Sequence, residues 1–258
     1  MSNFEYITKL IHDESGICID ETKQYLIESR LKPIARKNNL DNVDELISKI
    51  RTSNDRELIA EVIDAMTTNE SLFFRDEKPF EQLRDIILPS FAGKHIKIWS
   101  AAASTGQEIY STIITMEEKG FHNYEILGTD ISPTVIERSK LGRYSQFEIQ
   151  RGMPITLLLK YFSQDGDYWV VKDDYKKKAS FKTYNLLDDL VPLGKFDVIF
   201  CRNVLIYFDA DTKTKIYDKL AQVINPEGYL LLGTSESIMS YTDKFVAVEG
   251  ATGLYKPA

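Results

Sequence analysis

Ile98-Trp99-Ser100-Ala101-Ala102-Ala103-Ser104-Thr105-Gly106-Gln107-Glu108 is the stretch whose reading decides the fold. Leading into it, His95-Ile96-Lys97-Ile98-Trp99-Ser100 alternates polar and apolar residues as a strand does. Leaving it, Glu108 to Lys119 reads as a helix. The bend between them is built of very small residues. Such a bend lets a ligand approach the backbone at the carboxyl end of the strand, where open α/β sheets bind ligands. It is not GxGxxG, because Gly106 is its one glycine. A plain strand-to-helix turn would use the same residues, so the loop alone leaves both readings open.

Working outward, Tyr124 to Thr129, Lys195 to Phe200 and Gly228 to Gly233 read as further strands. Helical spacing appears between them at Thr134 to Lys140 and Asp211 to Val223. Strands alternating with helices mean crossover units and a mostly parallel sheet. Phe245 to Val248 and Gly253 to Tyr255 have only a turn between them, so they are expected as an antiparallel pair at the sheet edge. One insertion, about 144–184, interrupts the alternation. It is expected to hold a small antiparallel subdomain, with a hairpin of Tyr168 to Lys172 and Ala179 to Thr183 turning at Asp173, Asp174 and Tyr175. Upstream, apolar residues recur at helical intervals in Phe4 to Ile11, Thr22 to Lys37, Val43 to Ile50 and Asp55 to Met66. Asp41 and Glu45 mark the expected start of the third of these. The expectation is a helical domain over 1–66 and an α/β domain over 67–258.

The net charge of -7 opposes general nucleic-acid binding, which needs a basic footprint. Two distant cysteines without a CxxC, and only three histidines, argue against a zinc site or a disulfide framework and fit a reducing cytoplasm. The first residues lack the apolar core of a signal peptide, and no run approaches the length of a membrane span.

Three more segments carry polar groups where ligands bind. Gly128-Thr129-Asp130-Ile131-Ser132 places an acid at the end of the next strand, suited to a ribose diol or to capping the following helix. Cys201-Arg202-Asn203-Val204-Leu205-Ile206-Tyr207-Phe208 puts an Arg, an Asn and a Tyr after an apolar strand, and each needs a partner if buried. Met66-Thr67-Thr68-Asn69-Glu70-Ser71-Leu72-Phe73-Phe74-Arg75 joins the two domains.

In this order and spacing, the four segments resemble the CheR family of chemotaxis-receptor methyltransferases, over nearly the whole chain. The resemblance implies a class I methyltransferase-like, doubly wound, mostly parallel sheet with an antiparallel edge strand. It implies S-adenosylmethionine as methyl donor, S-adenosylhomocysteine as product, and no metal. Residues matching the donor contacts are Asn69, Ser71, Arg75, Glu108 and Asp130. Those matching Asn185 and Leu186 lie near the adenine, and those matching Arg202 and Asn203 complete the pocket. Arg75 and Tyr207 match the residues that approach the transferable methyl. Ser71 keeps the hydroxyl of the family's usual Thr, and Gln107 stands where a Glu is usual.

The implied acceptors are glutamates on the cytoplasmic helical region of methyl-accepting receptors. A glutamate, with an ordinary pKa of about 4.3, is already a nucleophile at neutral pH, so no general base is required. Lys23, Arg30 and Lys37, seven apart, form one basic stripe, and Lys32 and Arg36 a second pair. Composition alone reads these as a solvated face; the resemblance makes them a receptor-binding surface. Some family members bind a receptor's C-terminal peptide at the inserted β subdomain. The resemblance also implies a cytoplasmic enzyme recruited to receptor clusters at the membrane. The alternative is a non-catalytic adaptor that binds the donor or its product and signals through protein contacts, with Gln107 the one feature in its favour.

Overall fold

The computed structural model describes residues 1–258. They form two compact units, Met1–Thr68 with Tyr207–Thr212, and Asn69–Ile206 with Lys213–Ala258.

The smaller unit holds α1 (Asn3–Ser15), α2 (Gln24–Lys37), α3 (Val43–Ser53) and α4 (Arg56–Met66). Side chains stop the helices where the backbone leaves orphan groups. Ser2 and Glu5 form a reciprocal capping box on α1, and Gly16 ends it in the left-handed conformation. Asn42, one residue beyond the expected Asp41, caps α3 by accepting from the N–H of Glu45. Asp55 caps α4. Ile7, Leu31, Leu46, Ile50 and Val62 point inward and are fully buried. The α2 helix runs through Pro33, which removes one N–H from its ladder.

The larger unit begins with a helical run, α5 (Lys78–Gln82), a π-helical turn (Leu83–Ile87) and α6 (Leu88–Ser90). Alternation then follows: β1 (Ile96–Ala101), α7 (Gln107–Glu118), β2 (Tyr124–Asp130) and α8 (Pro133–Leu141). An excursion comes next, with β3 (Arg143–Ser145), α9 (Gln146–Gln150), α10 (Ile155–Tyr161), β4 (Phe162–Asp165), β5 (Tyr168–Val171) and α11 (Asp173–Lys176). The chain closes with β6 (Ala179–Thr183), β7 (Phe196–Cys201), α12 (Ala210–Val223), β8 (Ile224–Leu232), β9 (Phe245–Ala247) and β10 (Leu254–Pro257).

Seven strands make the main sheet in the order β6-β2-β1-β7-β8-β10-β9. The first five are parallel neighbours, whereas β10 runs antiparallel to both β8 and β9. The strand order turns back between β1 and β7, which is a topological switch point. No helix is long and apolar enough to cross a membrane.

The expected hairpin is not formed. Ala179–Thr183 lies parallel to β2 as the edge strand of the main sheet, and the hairpin of the small sheet is β4–β5, with β3 on the other side of β5. Asp173–Lys176 is a helical turn rather than a hairpin turn. The reason is packing. Phe181 sits opposite Gly128, where an added Cβ would lie 2.9 Å from the Phe181 ring and 2.2 Å from Ile109. Only a strand opposite that glycine can lay its aromatic ring there.

Candidate functional site

The carboxyl ends of β6, β2, β1 and β7 are neighbours, so the loops that follow them share one edge of the sheet. The loop after β1 is bent by Ala102 (φ 56°) and Ser104 (φ 50°), both in the left-handed region. Non-glycine residues adopt that region at a cost of about 1–2 kcal/mol each, so surrounding contacts must hold it. They do. The backbone N–H of Ser104 donates to Asp130 Oδ2 at 2.8 Å, and its hydroxyl donates to the carbonyl of Asn69 at 3.0 Å. The buried Tyr144 of β3 donates its hydroxyl to the carbonyl of Thr105 at 2.8 Å.

Asp130 ends β2 with 7% of its surface exposed. Its Oδ1 accepts from the N–H of Ser132 at 3.0 Å. The backbone carbonyl of Asp130 accepts from the N–H of Tyr184 at 2.8 Å, which brings the Asn185–Leu186 turn beside it. Asn185 braces that turn by accepting from the N–H of Leu187.

At the end of β7, Arg202 is buried and central to a network. It donates to Glu108 Oε2 at 2.8 Å, to Asp76 Oδ2 at 2.9 Å and to the carbonyl of Arg75 at 2.7 Å. Its Nε is buried without a hydrogen-bond partner. Glu108 also accepts from the hydroxyl of Ser100 at 2.7 Å. Asp130, Glu108, Arg202, Asn203, Asn69 and Asn185 thus belong to one connected edge of the larger unit. Ser71 and Arg75 lie on the Asn69–Asp76 segment that this network fastens. Arg75 itself is half-buried and makes one long hydrogen bond, 3.3 Å to the carbonyl of Glu70. Of the groups at this edge, Ser100, Ser104 and Asp76 escaped the sequence reading. Ser104 acts on or through backbone atoms, Ser100 through a hydroxyl on Glu108 and Asp76 as partner of a buried cation, and residue type signals none of these roles.

Gln107 is 2% exposed and accepts from the hydroxyl of Thr105 at 2.7 Å. It is a packed residue inside the first turn of α7, and the feature that favoured an adaptor is accounted for locally. Burial pushes the Cys201 thiol well up, as expected of an inert core cysteine.

Tyr207 falls in the smaller unit, where its carbonyl accepts from the N–H of Cys18 at 2.9 Å. The first basic stripe is engaged within that unit. Lys23 pairs with Asp20 and Lys37 with Glu61. Arg30 donates to the carbonyls of Met66 (2.7 Å) and Thr67 (3.0 Å) and to the hydroxyl of Thr68, closing the end of α4. Lys32 and Arg36 are exposed.

The donor set fits a nucleoside with a charged tail: an amide-anchored carboxylate, a side-chain amide beside a buried leucine, and a second carboxylate held by an arginine. Residues 69–254 match the model of the CheR methyltransferase, SAM binding domain, and residues 2–67 that of the CheR methyltransferase, all-alpha domain. The chemotaxis protein methyltransferase 1 of Vibrio cholerae is 41% identical, covering 98% of this chain and 96% of that protein. The chemotaxis protein methyltransferase 1 of Pseudomonas aeruginosa is 37% identical, over 98% and 96%. The chemotaxis protein methyltransferase of Borreliella burgdorferi is 37% identical, over 90% and 87%.

Proposed function

The chain belongs to the CheR methyltransferase family, and we propose that it methylates glutamate side chains on the cytoplasmic helices of methyl-accepting chemotaxis receptors, leaving glutamyl methyl esters. S-adenosylmethionine-dependent methylation in chemotaxis comes with the family; the acceptor is our reading. The observation that supports donor binding best is the edge at the switch point, where the amide-anchored Asp130 stands beside the bent loop after β1.

When bound, S-adenosylmethionine supplies a methyl group on a sulfonium, open to direct displacement by a carboxylate. Asp130 would accept from the ribose diol, Asn185 and Leu186 would flank the adenine, and Asn69, Ser71, Glu108, Arg202 and Asn203 would complete the donor pocket. Arg75 would orient the acceptor carboxylate with guanidinium donors that the fold does not spend. Too tight an ion pair there would slow the reaction, because the carboxylate loses its charge in the transition state. The main task is to hold the acceptor in line and keep water away. Tyr207 is kept as a candidate to approach the transferable methyl, which Tyr207→Phe tests by itself. On α2, the exposed Lys32 and Arg36 are the better candidates for acidic receptor helices, since Arg30 is committed to closing α4. A receptor C-terminal peptide would add a strand to the β3-β5-β4 sheet. The enzyme would act in the cytoplasm, recruited to receptor clusters.

The test is transfer of a labelled methyl group to receptor cytoplasmic fragments that carry Glu or Gln at the target positions. Labelling of the Glu form alone is expected, and Asp130→Ala should weaken S-adenosylhomocysteine binding at least about tenfold by calorimetry. Equal labelling of both fragments, or of neither, overturns the glutamate assignment.

A further inference from the structure

Past the end of β8, the chain turns through Gly233-Thr234-Ser235-Glu236. The Glu236 side chain folds back, 9% exposed, beneath the loop that follows β7. Its Oε2 accepts from the N–H groups of Asn203 (2.7 Å) and Gly233 (2.8 Å). Its Oε1 accepts from those of Val204 (3.0 Å) and Leu205 (2.8 Å). Three successive backbone N–H groups that converge on one point make a concavity suited to an anion. Here the chain fills it with its own carboxylate, an acceptor with about four lone-pair sites.

Two further observations show that the fit is built. Asn203 has φ 57°, in the left-handed region, and that conformation helps aim the three N–H groups together. Gly233 leaves the carboxylate its room: an added Cβ there would lie 2.6 Å from Glu236 Oε2 and 2.8 Å from Asn203 Nδ2.

We propose that Glu236 is a positioning residue: its carboxylate clamps the backbone of Asn203, Val204 and Leu205, and so sets Asn203 in its donor-binding geometry before the donor arrives. This rests on the donor-site reading above. Both oxygens of Glu236 are spent on backbone N–H groups. It acts through the loop, because without it four N–H groups lose their acceptor and the strained turn at Asn203 loses its support.

Three measurements test it. In the wild-type chain without ligand, the amides of Asn203, Val204 and Leu205 should exchange slowly with deuterium; rapid exchange at these positions overturns the clamp, whatever any variant does. Glu236→Gln should weaken S-adenosylhomocysteine binding at least about tenfold and raise the KM for S-adenosylmethionine, while kcat at saturating donor changes less than about threefold. A folded Glu236→Gln chain with wild-type affinity overturns the positioning role. Glu236→Ala should regain affinity when formate is added, because formate can occupy the emptied nest; a formate response equal to that of the wild type counts against it. If the wild-type chain binds no S-adenosylhomocysteine while these amides are protected, the donor-site reading fails, the positioning role fails with it, and the clamp is structural alone.

Discussion

The N-terminal helices and the switch-point edge of the sheet obey opposite rules. In α1, α3 and α4, local preference and structure agree: Ser2, Asn42 and Asp55 cap where such residues cap best, and Gly16 and Asn54 end helices in the left-handed region they tolerate. At the sheet edge, preference is overruled. Phe74, Asp76, Glu77, Ala102, Ser104 and Asn203 all have positive φ. Phe74, Asp76, Ser104 and Asn203 are held by the buried Ser111, Arg202, Asp130 and Glu236. Agreement across levels marks a scaffold, whereas strain persists only where the surrounding contacts over-determine it.

Breaking the support of the edge should cost most. Arg202→Met removes a buried cation from between Glu108 and Asp76. Loss of one partner from a buried network costs about 3–5 kcal/mol, and denaturant unfolding should show it; a loss under about 1 kcal/mol would mean that the network does not support the edge. Arg75→Ala should leave stability nearly unchanged and cut methyl transfer about 100-fold, a misplacement effect, a larger loss than it causes in S-adenosylhomocysteine affinity. Unchanged transfer removes Arg75 from the reaction.

The next pair sharpens the contrast, because similar substitutions should have opposite signs. Asn42→Ala deletes a cap and should cost about 1 kcal/mol. Ala102→Gly relieves a left-handed residue and should stabilise by up to about 1 kcal/mol. If both destabilise equally in thermal unfolding, the loop after β1 is not strained.

The smallest effect is a pH dependence in the helical unit. The N–H of Thr212 donates to Asp209 Oδ1 at 2.7 Å, and His12 Nε2 lies 2.8 Å from Oδ2; together they hold this carboxyl down at about 2. A carboxyl lowered on folding stabilises above its unfolded value, about 4. That contribution fades as the pH falls through about 2. The stability difference between wild type and Asp209→Asn should therefore shrink between about pH 4 and pH 2. A constant difference would remove Asp209 as its source.

Much of this molecule can be read from residue patterns. The buried parallel strands stand out as apolar runs ending in polar motifs, and the four helices stand out by their spacing. The error over Ala179–Thr183 shows the limit: alternation reports a strand but not its partner, and the partner was fixed by the space above Gly128. The strand Phe162–Asp165 was missed because three of its four residues are exposed and polar. Asp130 and Arg202 were visible as polar residues at strand ends. Glu236 was not, because its partners are backbone amides, which every sequence offers everywhere.

The contact between Tyr144 and Thr105 has a consequence for signalling. The small sheet hangs from the main one as a single excursion of chain, yet its first strand sends a buried phenol to the carbonyl of the bend after β1. The small sheet and the bend after β1 therefore share one mechanical joint. If occupancy of the small sheet changes the donor's affinity through that phenol, linkage requires the donor to return the same factor to whatever sits on the small sheet.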